Sequence, residues 1–320
     1  MAETIEIAVH NTRLFPKCKG AEAYRPTGIA ERCDWIAMTD VRTPGDGFLC
    51  GDLAVGPRTV FLSMRSFFHA LPWFYEEVLP RITNRFIFIS GSEDFTIPNQ
   101  VDVRQRSATS AERDLVSRIA ADERVIHWFA ENRDEEIPKM STLPVGYVFI
   151  EEPSNVVKLV SLPSPLKDRP LRVFCAHRVR EGGQWELRRK LTGLCLDKFS
   201  SFTTVCEQEL SEADFENQIR QHPFVICASG GGLDPSPKAW QSIACGSIPI
   251  IKSSVLDDAY AQLPVAFVDD WSEDCLSIEK LEAWRQQLAP YYEPGPLRTE
   301  TLRRLSLDYW WDQIRAGTAY

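Results

Sequence analysis

Short apolar runs alternate along the chain with longer segments in which apolar residues recur every three or four positions. In the first half, the runs that predict strands cover residues 4–9, 34–38, 59–63, 85–90 and 125–129. Apolar spacing over 66–82 predicts an amphipathic helix that Pro72 bends or restarts, and a second helix is predicted over 109–122. Strands that alternate with helices indicate α/β domains with mostly parallel sheets.

Prolines concentrate between Pro144 and Pro170, and this stretch predicts a linker between two domains, which we place at 1–155 and 156–320. The second half repeats the alternation of short apolar runs and helical periodicity. Its predicted elements cover residues 171–176, 184–194, 211–221, 224–228, 237–245, 247–251, 265–268 and 277–288. A last amphipathic stretch over 297–314 is a helix that can pack back on the first domain.

The composition is that of a globular protein, since 44% of the 320 residues are hydrophobic and 25% are charged. A net charge of -9 and the lack of a basic run argue against a nucleic-acid partner. Nine cysteines without CxxC spacing predict reduced thiols. The first residues do not resemble a signal peptide, and eighteen consecutive apolar residues do not occur. We therefore expect a cytoplasmic protein without an integral membrane segment.

A glycine loop leads into one of the predicted helices of the second half. Gly230–Gly232 precede Ser236 and Pro237, which favour a helix start whose unpaired N–H groups can bind an anion. Lys238 lies in the first turn, where the helix dipole disfavours a cation unless an anion is bound. The segment predicts a phosphate site, and the alternative is a tight turn beside a solvated lysine. Neither a Walker A nor a GxGxxG pattern is present.

From Phe224 to Trp271 the chain resembles the donor-binding half of exostosin-like glycosyltransferases and their microbial and viral relatives. The resemblance is carried by Gly-Gly-Gly-Leu-Asp at 230–234, Lys-Ala-Trp-Gln at 238–241, Cys-Gly-Ser-Ile-Pro-Ile-Ile-Lys-Ser-Ser at 245–254, Leu-Pro-Val at 263–265 and Val-Asp-Asp-Trp at 268–271. A fainter likeness covers 87–98, 128–132 and 308–310. It implies a GT-B fold, with two Rossmann-like domains that face each other across a cleft and a nucleotide-sugar held by the second.

The family usually has Arg and Glu in the donor helix, where this chain has Lys238 and Gln241. The family's Glu holds ribose hydroxyls, so the resemblance implies that Gln241 contacts ribose, while Lys238 neutralises diphosphate as a point charge. Arg178 and Arg180 follow the predicted strand 171–176 directly, at the strand end where ligands gather in open α/β sheets. They are further diphosphate candidates, and the alternative is a solvated loop.

An inverting transferase needs a base that accepts the proton of the acceptor hydroxyl. Asp94 is our first candidate and Glu93 the second, because both follow the predicted strand 85–90, and Asp40 is the third. The alternative for each is a turn or capping role. The adjacent pairs Asp257-Asp258 and Asp269-Asp270 are discounted as metal ligands, because neighbouring carboxylates on a strand point to opposite faces. No cofactor or metal is predicted.

The sequence therefore predicts a metal-independent, inverting glycosyltransferase that takes a nucleotide-diphosphate sugar as donor and a glycan hydroxyl as acceptor. The predicted site residues are the catalytic Asp94 and Glu93 and the donor-binding Arg178, Arg180, Gly230, Gly231, Gly232, Lys238 and Gln241. Two alternatives stay open. One is a fucosyltransferase-like enzyme that uses a GDP-sugar, and the other is a degenerate transferase that only binds a glycan or a partner.

Overall fold

The structure is a computed structural model that describes residues 4–15, 21–39, 47–148, 156–160, 163–177, 182–235 and 237–317. Its strands are β1 Thr4–Ala8, β2 Leu14–Phe15, β3 Arg25–Pro26, β4 Trp35–Met38, β5 Phe48–Gly51, β6 Thr59–Ser63, β7 Phe86–Gly91, β8 Val125–Ala130, β9 Met140–Thr142, β10 Val156–Val160, β11 Val173–Cys175, β12 Thr203–Val205, β13 Phe224–Ile226, β14 Ile248–Lys252 and β15 Ala266–Val268. Its α-helices are α1 Gly28–Glu31, α2 Phe67–Trp73, α3 Ser110–Ala121, α4 Glu186–Leu196, α5 Glu212–Gln221, α6 Pro237–Ala244, α7 Asp257–Tyr260, α8 Ile278–Leu288, α9 Pro296–Arg304 and α10 Leu307–Ala316.

The chain divides into two structural units, neither of which is one continuous segment. The N unit comprises the described residues within 8–155, 231–234 and 307–320, and the C unit those within 1–7, 156–230 and 235–306. Each unit contains a parallel sheet and helices, so the predicted α/β class with two parallel-sheet domains is confirmed. Within the described ranges, no helix is long and apolar enough to cross a membrane.

The sheet of the N unit has the strand order β5-β4-β6-β7-β8-β9. The strands β4, β6, β7, β8 and β9 are parallel, and β5 pairs antiparallel with β4, with Phe48 opposite Met38. All residues of β6 and β7 are buried, as expected for central strands covered on both faces. The polar residues that follow β6, β7 and β8 are therefore brought to one edge of this sheet.

The predicted helix over 66–82 forms three successive parts. Regular α-helix ends after Trp73, the residue that follows Pro72, and a π-helical turn, Phe74–Val78, and a 3-10 turn, Leu79–Arg81, continue the chain. Pro72 lacks the N–H group that would continue the α-helical ladder. Phe74 stacks on Phe88 in the core at a centroid distance of 4.4 Å, whereas Trp73 remains partly exposed.

Three of the predicted helices begin at a hydroxyl residue that caps the first turn. Thr109 and Glu112 form a reciprocal capping box at the start of α3. Ser211 and Ser277 accept backbone N–H groups at the starts of α5 and α8. These local contacts explain why the boundaries of the three helices lie within one residue of the prediction.

The sheet of the C unit has the strand order β12-β11-β13-β14-β15, and all its strands are parallel. The second strand in chain order, β12, lies on one side of β11, and the third, β13, lies on the other. The winding direction therefore reverses between β11 and β13. In doubly wound sheets, ligands bind at the carboxyl ends of the strands that flank such a reversal.

Two segments depart from the predicted organisation. The stretch predicted as a linker contains β10, which pairs with β1 in a separate two-stranded sheet. The amphipathic stretch predicted as one terminal helix forms two, of which α9 lies in the C unit and α10 in the N unit. Within the N unit, Arg32 contacts Asp308 of α10 at 2.6 Å, and the rings of His10 and Trp310 lie 5.4 Å apart.

Candidate active site

Two cationic side chains of the C unit lie where β11 and β13 end. Lys238, in the first turn of α6, donates from Nζ to the carbonyl of Ala176, which follows β11. Arg188 of α4 donates from Nε to the carbonyl of Ser229, three residues after β13, at 3.2 Å. Both side chains also contact aromatic rings, Lys238 over Phe215 and Arg188 over Trp185. The positive charges are thus fixed at the reversal point of the sheet.

The pKa values of two neighbouring groups, His177 and Cys175, are shifted in part by these cations. Burial lowers the pKa of His177, and the positive charges of Lys238 and Arg188 act in the same direction, although the Cys175 thiol opposes them. The pKa of Cys175 is lowered first by its hydrogen bond with the Cys195 thiol, and His177 and Lys238 contribute to the decrease. Thiols become more acidic beside positive charge. The cations are thus minor contributors to both shifts, after burial for His177 and the Cys195 hydrogen bond for Cys175.

Lys238 and Gln241 lie on α6 as the helical periodicity predicts. Gln241 follows Lys238 by one turn of α6 and is 7% exposed, while Trp240, Ile243 and Ala244 are buried in the core. A Cβ atom at Gly230 would lie 3.4 Å from Nη2 of Arg188, so this glycine leaves space beside the guanidinium. Arg178, Arg180 and Ser236 lie outside the described residues.

The other two glycines of the loop belong to the N unit and meet protein atoms there. A side chain on Gly231 would overlap the guanidinium of Arg104, and a Cβ atom on Gly232 would lie 2.6 Å from Oδ1 of Asn132. The same Oδ1 accepts hydrogen bonds from the backbone N–H groups of Leu233 and Asp234, at 3.0 and 2.8 Å. The backbone carbonyl of Asp94 also lies 2.6 Å from a Cβ atom on Gly232, so close packing requires glycine there, whereas at Gly231 the Arg104 side chain would have to move. Of the three glycines, Gly230 shares a unit with Lys238.

The carboxylate of Asp94 is held by two arginines at the edge of the N-unit sheet. Its Oδ1 lies 3.6 Å from Nη2 of Arg13, and its Oδ2 lies 2.7 Å from Nη2 of Arg104. The Asp94 side chain is 31% exposed, so a ligand can reach it. Glu93 accepts a hydrogen bond from the backbone N–H of Asp94 at 3.1 Å. Asp40, the third base candidate, lies outside the described residues.

Arg13 also contacts a buried carboxylate, Glu131, that directly follows β8. Arg13 Nη2 lies 3.3 Å from Glu131 Oε1, while Glu131 Oε2 accepts from the Thr12 hydroxyl at 2.6 Å and from the backbone N–H of Ser92 at 2.8 Å. Burial raises the pKa of Glu131 to about 7, although Arg13, Thr12 and Ser92 all favour the ionised form. A carboxyl group with such a pKa can exchange a proton near neutral pH.

The aspartate pairs of the C unit make local backbone contacts. Asp257 Oδ1 accepts from the N–H of Ser254 and Asp258 Oδ1 from that of Ala259, both at 2.9 Å. Asp269 and Asp270 are exposed. Over the part of the chain that the structure describes, no group of three or more His, Cys, Asp or Glu residues is arranged to hold a metal ion.

No protein-family model matches the sequence, and no curated protein matches it. Among solved structures, the chain is similar to a UDP-forming alpha,alpha-trehalose-phosphate synthase from Burkholderia xenovorans, with 11% identity, 81% of this chain and 73% of that chain covered, and a TM-score of 0.45. It is similar to a lipopolysaccharide outer core galactosyltransferase at 10% identity, with 83% and 76% covered and a TM-score of 0.43. A protein described as a UDP-N-acetylglucosamine 2-epimerase from Listeria monocytogenes has 12% identity, 82% and 73% covered, and a TM-score of 0.37.

At these identities and TM-scores, no residue role or reaction is carried over from those proteins. The resemblance to exostosin-like transferases accordingly stays a prediction. The geometry adds three residues that the sequence interpretation did not select, Arg188, Arg13 and Glu131. Arg188 lies in the first turn of α4, where its positive charge conflicts with the helix dipole as that of Lys238 does. The sequence pattern that selected Lys238 could therefore also have selected Arg188. Glu131 directly follows a buried strand, but nothing near Arg13 in the sequence indicates its ion pairs.

Proposed function

We propose that the chain is a glycosyltransferase that moves a sugar from a nucleotide-diphosphate donor to a glycan hydroxyl. The supporting observation is the placement of Lys238 and Arg188 at the carboxyl ends of β11 and β13. A reversal point in a parallel sheet is where nucleotides bind, and two fixed cations there match a diphosphate. The start of α6 contributes backbone N–H groups of the kind that bind phosphate.

The donor half of the reaction is assigned to the C unit. Lys238 and Arg188 stabilise the negative charge that grows on the diphosphate as its bond to the sugar breaks, which makes a metal ion unnecessary. Gln241, one helical turn from Lys238, offers an amide to the ribose hydroxyls. Arg178 and Arg180 remain proposed partners of the diphosphate.

The acceptor half is assigned to the N unit. Asp94 takes the proton of the acceptor hydroxyl while that oxygen attacks the anomeric carbon from the side opposite the diphosphate, so the configuration inverts. Arg13 and Arg104 hold the Asp94 carboxylate in one orientation. Glu131 contacts the same Nη2 of Arg13 that lies near Asp94, and is a positioning residue. Glu93 is the second candidate for the base.

The proposal includes the cytoplasmic location. Eight cysteines of the described ranges are free thiols, namely Cys33, Cys50, Cys175, Cys195, Cys206, Cys227, Cys245 and Cys275. Free thiols agree with a reducing compartment.

A thermal-shift screen with UDP, GDP and CMP and their sugars tests the function, because a ligand of the native state raises the melting temperature. We expect one nucleoside diphosphate to stabilise the protein, and Lys238→Ala and Arg188→Ala to abolish the shift. Arg189→Ala is the matched control, because Arg189 is an exposed neighbour on α4. A shift with GDP alone selects the fucosyltransferase-like alternative. Binding without transfer selects the degenerate protein, and no shift with any nucleotide disproves donor binding.

A further inference from the structure

We infer that the N unit carries a second carbohydrate site, in a cavity between β5 and the helical segment that follows β6. The inference rests on the proposed function, because the occupant is a neutral sugar unit of the acceptor glycan. The cavity has a volume of about 740 Å³, and its wall includes Leu49, His69, Trp73, Glu76, Glu77 and Arg81. This volume lies in the usual range of small-ligand sites.

One wall of the cavity is an aromatic ring with a fixed orientation. Trp73 is partly exposed, and the backbone of Gly47 lies so close to its indole that any side chain on Gly47 would overlap the ring. A sugar ring has C–H groups on its faces and hydroxyls around its rim, so it packs on a flat aromatic surface and needs polar groups at its edge. Gly47 covers one face of the indole, and the exposed part of Trp73 supplies such a surface beside the exposed Glu76 and Glu77.

The same wall contains a buried polar atom that lacks a hydrogen-bond partner among the described atoms. Nε2 of His69 is buried and has no hydrogen-bond partner among the described atoms. An unsatisfied buried nitrogen is unfavourable, and either tautomer of the ring is satisfied by a hydroxyl, which both donates and accepts. The π-helical turn Phe74–Val78 shapes this wall, and such turns occur frequently at functional sites.

Charge decides the class of sugar. Among the described residues of the cavity wall are two carboxylates, Glu76 and Glu77, and one cation, Arg81, and all three side chains are exposed. Sulfate, phosphate or uronate groups would be repelled by this excess of negative charge. This charge favours a neutral saccharide over a polyanionic glycan as the occupant.

The cavity lies several strands away from Asp94 in the sheet, so its proposed occupant is a sugar unit of the acceptor that is remote from the reacting hydroxyl. Phe48 lies opposite Met38, so β5 begins at the edge where the parallel strands end, the edge that also carries Asp94. Three strand spacings separate β5 from β7, which is roughly 14 Å. Because this exceeds one sugar ring, the cavity distinguishes long acceptors from short ones.

Fluorine NMR on protein that contains 5-fluorotryptophan tests the site, with the Trp73 signal assigned by its loss in Trp73→Phe. The probes are maltohexaose, cellohexaose, xylohexaose and chitohexaose, with a heparin hexasaccharide as the anionic comparison. We expect at least one neutral probe to shift the Trp73 signal and heparin to leave it unchanged. His69→Ala should weaken that binding roughly tenfold. Tyr75→Phe, a change at the neighbouring aromatic residue, should preserve it.

Failure of all four neutral probes to shift the Trp73 signal overturns the inference, as does an equal shift with heparin. The thermal-shift screen with nucleotides distinguishes failure of this site from failure of the proposed function. A Trp73 shift in a protein that binds no nucleotide supports the saccharide site and removes the proposed enzyme. Transfer activity without a Trp73 shift keeps the enzyme and removes this site.

Discussion

Arg13 and Glu131 form an ion pair in which Nη2 and Oε1 lie 3.3 Å apart, with the two side chains 6% and 1% exposed. Burial lowers the pKa of Arg13, but the carboxylates of Glu131, Asp94, Glu93 and Asp234 outweigh it and raise that pKa. Removing two charges from water largely offsets their attraction, so such a pair contributes little net stability. Its contribution is to fix the orientation of Arg13 toward Asp94.

Glu131→Gln should change how stability depends on pH. The pKa of Glu131 is about 7 in the folded protein against a usual value of 4.5, so the native state binds more protons than the unfolded state between these values. The unfolding free energy of the wild type, relative to the variant, therefore falls as pH rises from 4.5 to 7, by up to roughly 3 kcal/mol. Urea titrations at several pH values measure this difference. Parallel curves for wild type and Glu131→Gln would contradict the raised pKa.

Asp94→Asn should lower turnover by on the order of a hundredfold and leave donor affinity nearly unchanged. Asn has almost the same shape, but it cannot take the proton of the acceptor hydroxyl. Steady-state kinetics with a verified donor and acceptor measure the effect, and Glu93→Gln is the matched control. Wild-type turnover in Asp94→Asn excludes it as the base. Loss in Glu93→Gln alone would move the role to that residue, and loss in neither would direct the search to Asp40.

Lys238→Ala should weaken a nucleoside diphosphate by more than about tenfold and the corresponding nucleoside by less than about twofold. The reason is that the ammonium group lies at the end of β11, where the diphosphate is proposed to bind, and a charge-assisted contact is lost with it. Calorimetric titration of both ligands compares the two losses. If the nucleoside is weakened as much as the diphosphate, Lys238 supports the fold rather than the phosphate.

Transfer should continue in the presence of EDTA, since cationic side chains take the part of a metal at the proposed diphosphate site. Activity is measured after dialysis against the chelator and again after addition of manganese. Loss on chelation with recovery on manganese would refute the metal-independent mechanism. The aspartates at 257, 258, 269 and 270 would then be the first residues to change.

The elements that the sequence predicted well are those whose signals are local. The boundaries of β6 match the prediction, because its apolar residues form one uninterrupted buried run. The strands β5, β9 and β12 were not predicted, and each lies at an edge of its sheet, where pairing with a single neighbour decides its conformation. The single terminal helix was wrong for a related reason, since periodicity alone does not show the break between α9 and α10.

The residues of the candidate site could likewise be predicted only where a local sequence pattern indicates them. Lys238 could be selected because its conflict with the helix dipole is visible within one turn of sequence. The contact of Arg13 with Asp94 joins residues 81 positions apart, and no local pattern indicates it. The glycine triplet was predicted to belong to a phosphate site, but a sequence does not show which atoms lie against each glycine. For Gly231 and Gly232, the neighbours are Arg104 and Asn132 of the N unit.

The discontinuous membership of the two units has a consequence for dividing the protein. A cut between residues 155 and 156 leaves the N-terminal fragment without 231–234 and α10, and it separates β10 from its partner β1. In the N-terminal fragment, Asn132 loses the two backbone N–H groups that its carboxamide accepts from. Each fragment then lacks material that its own unit requires, so the two are expected to recover native structure only when mixed, as complementing fragments do.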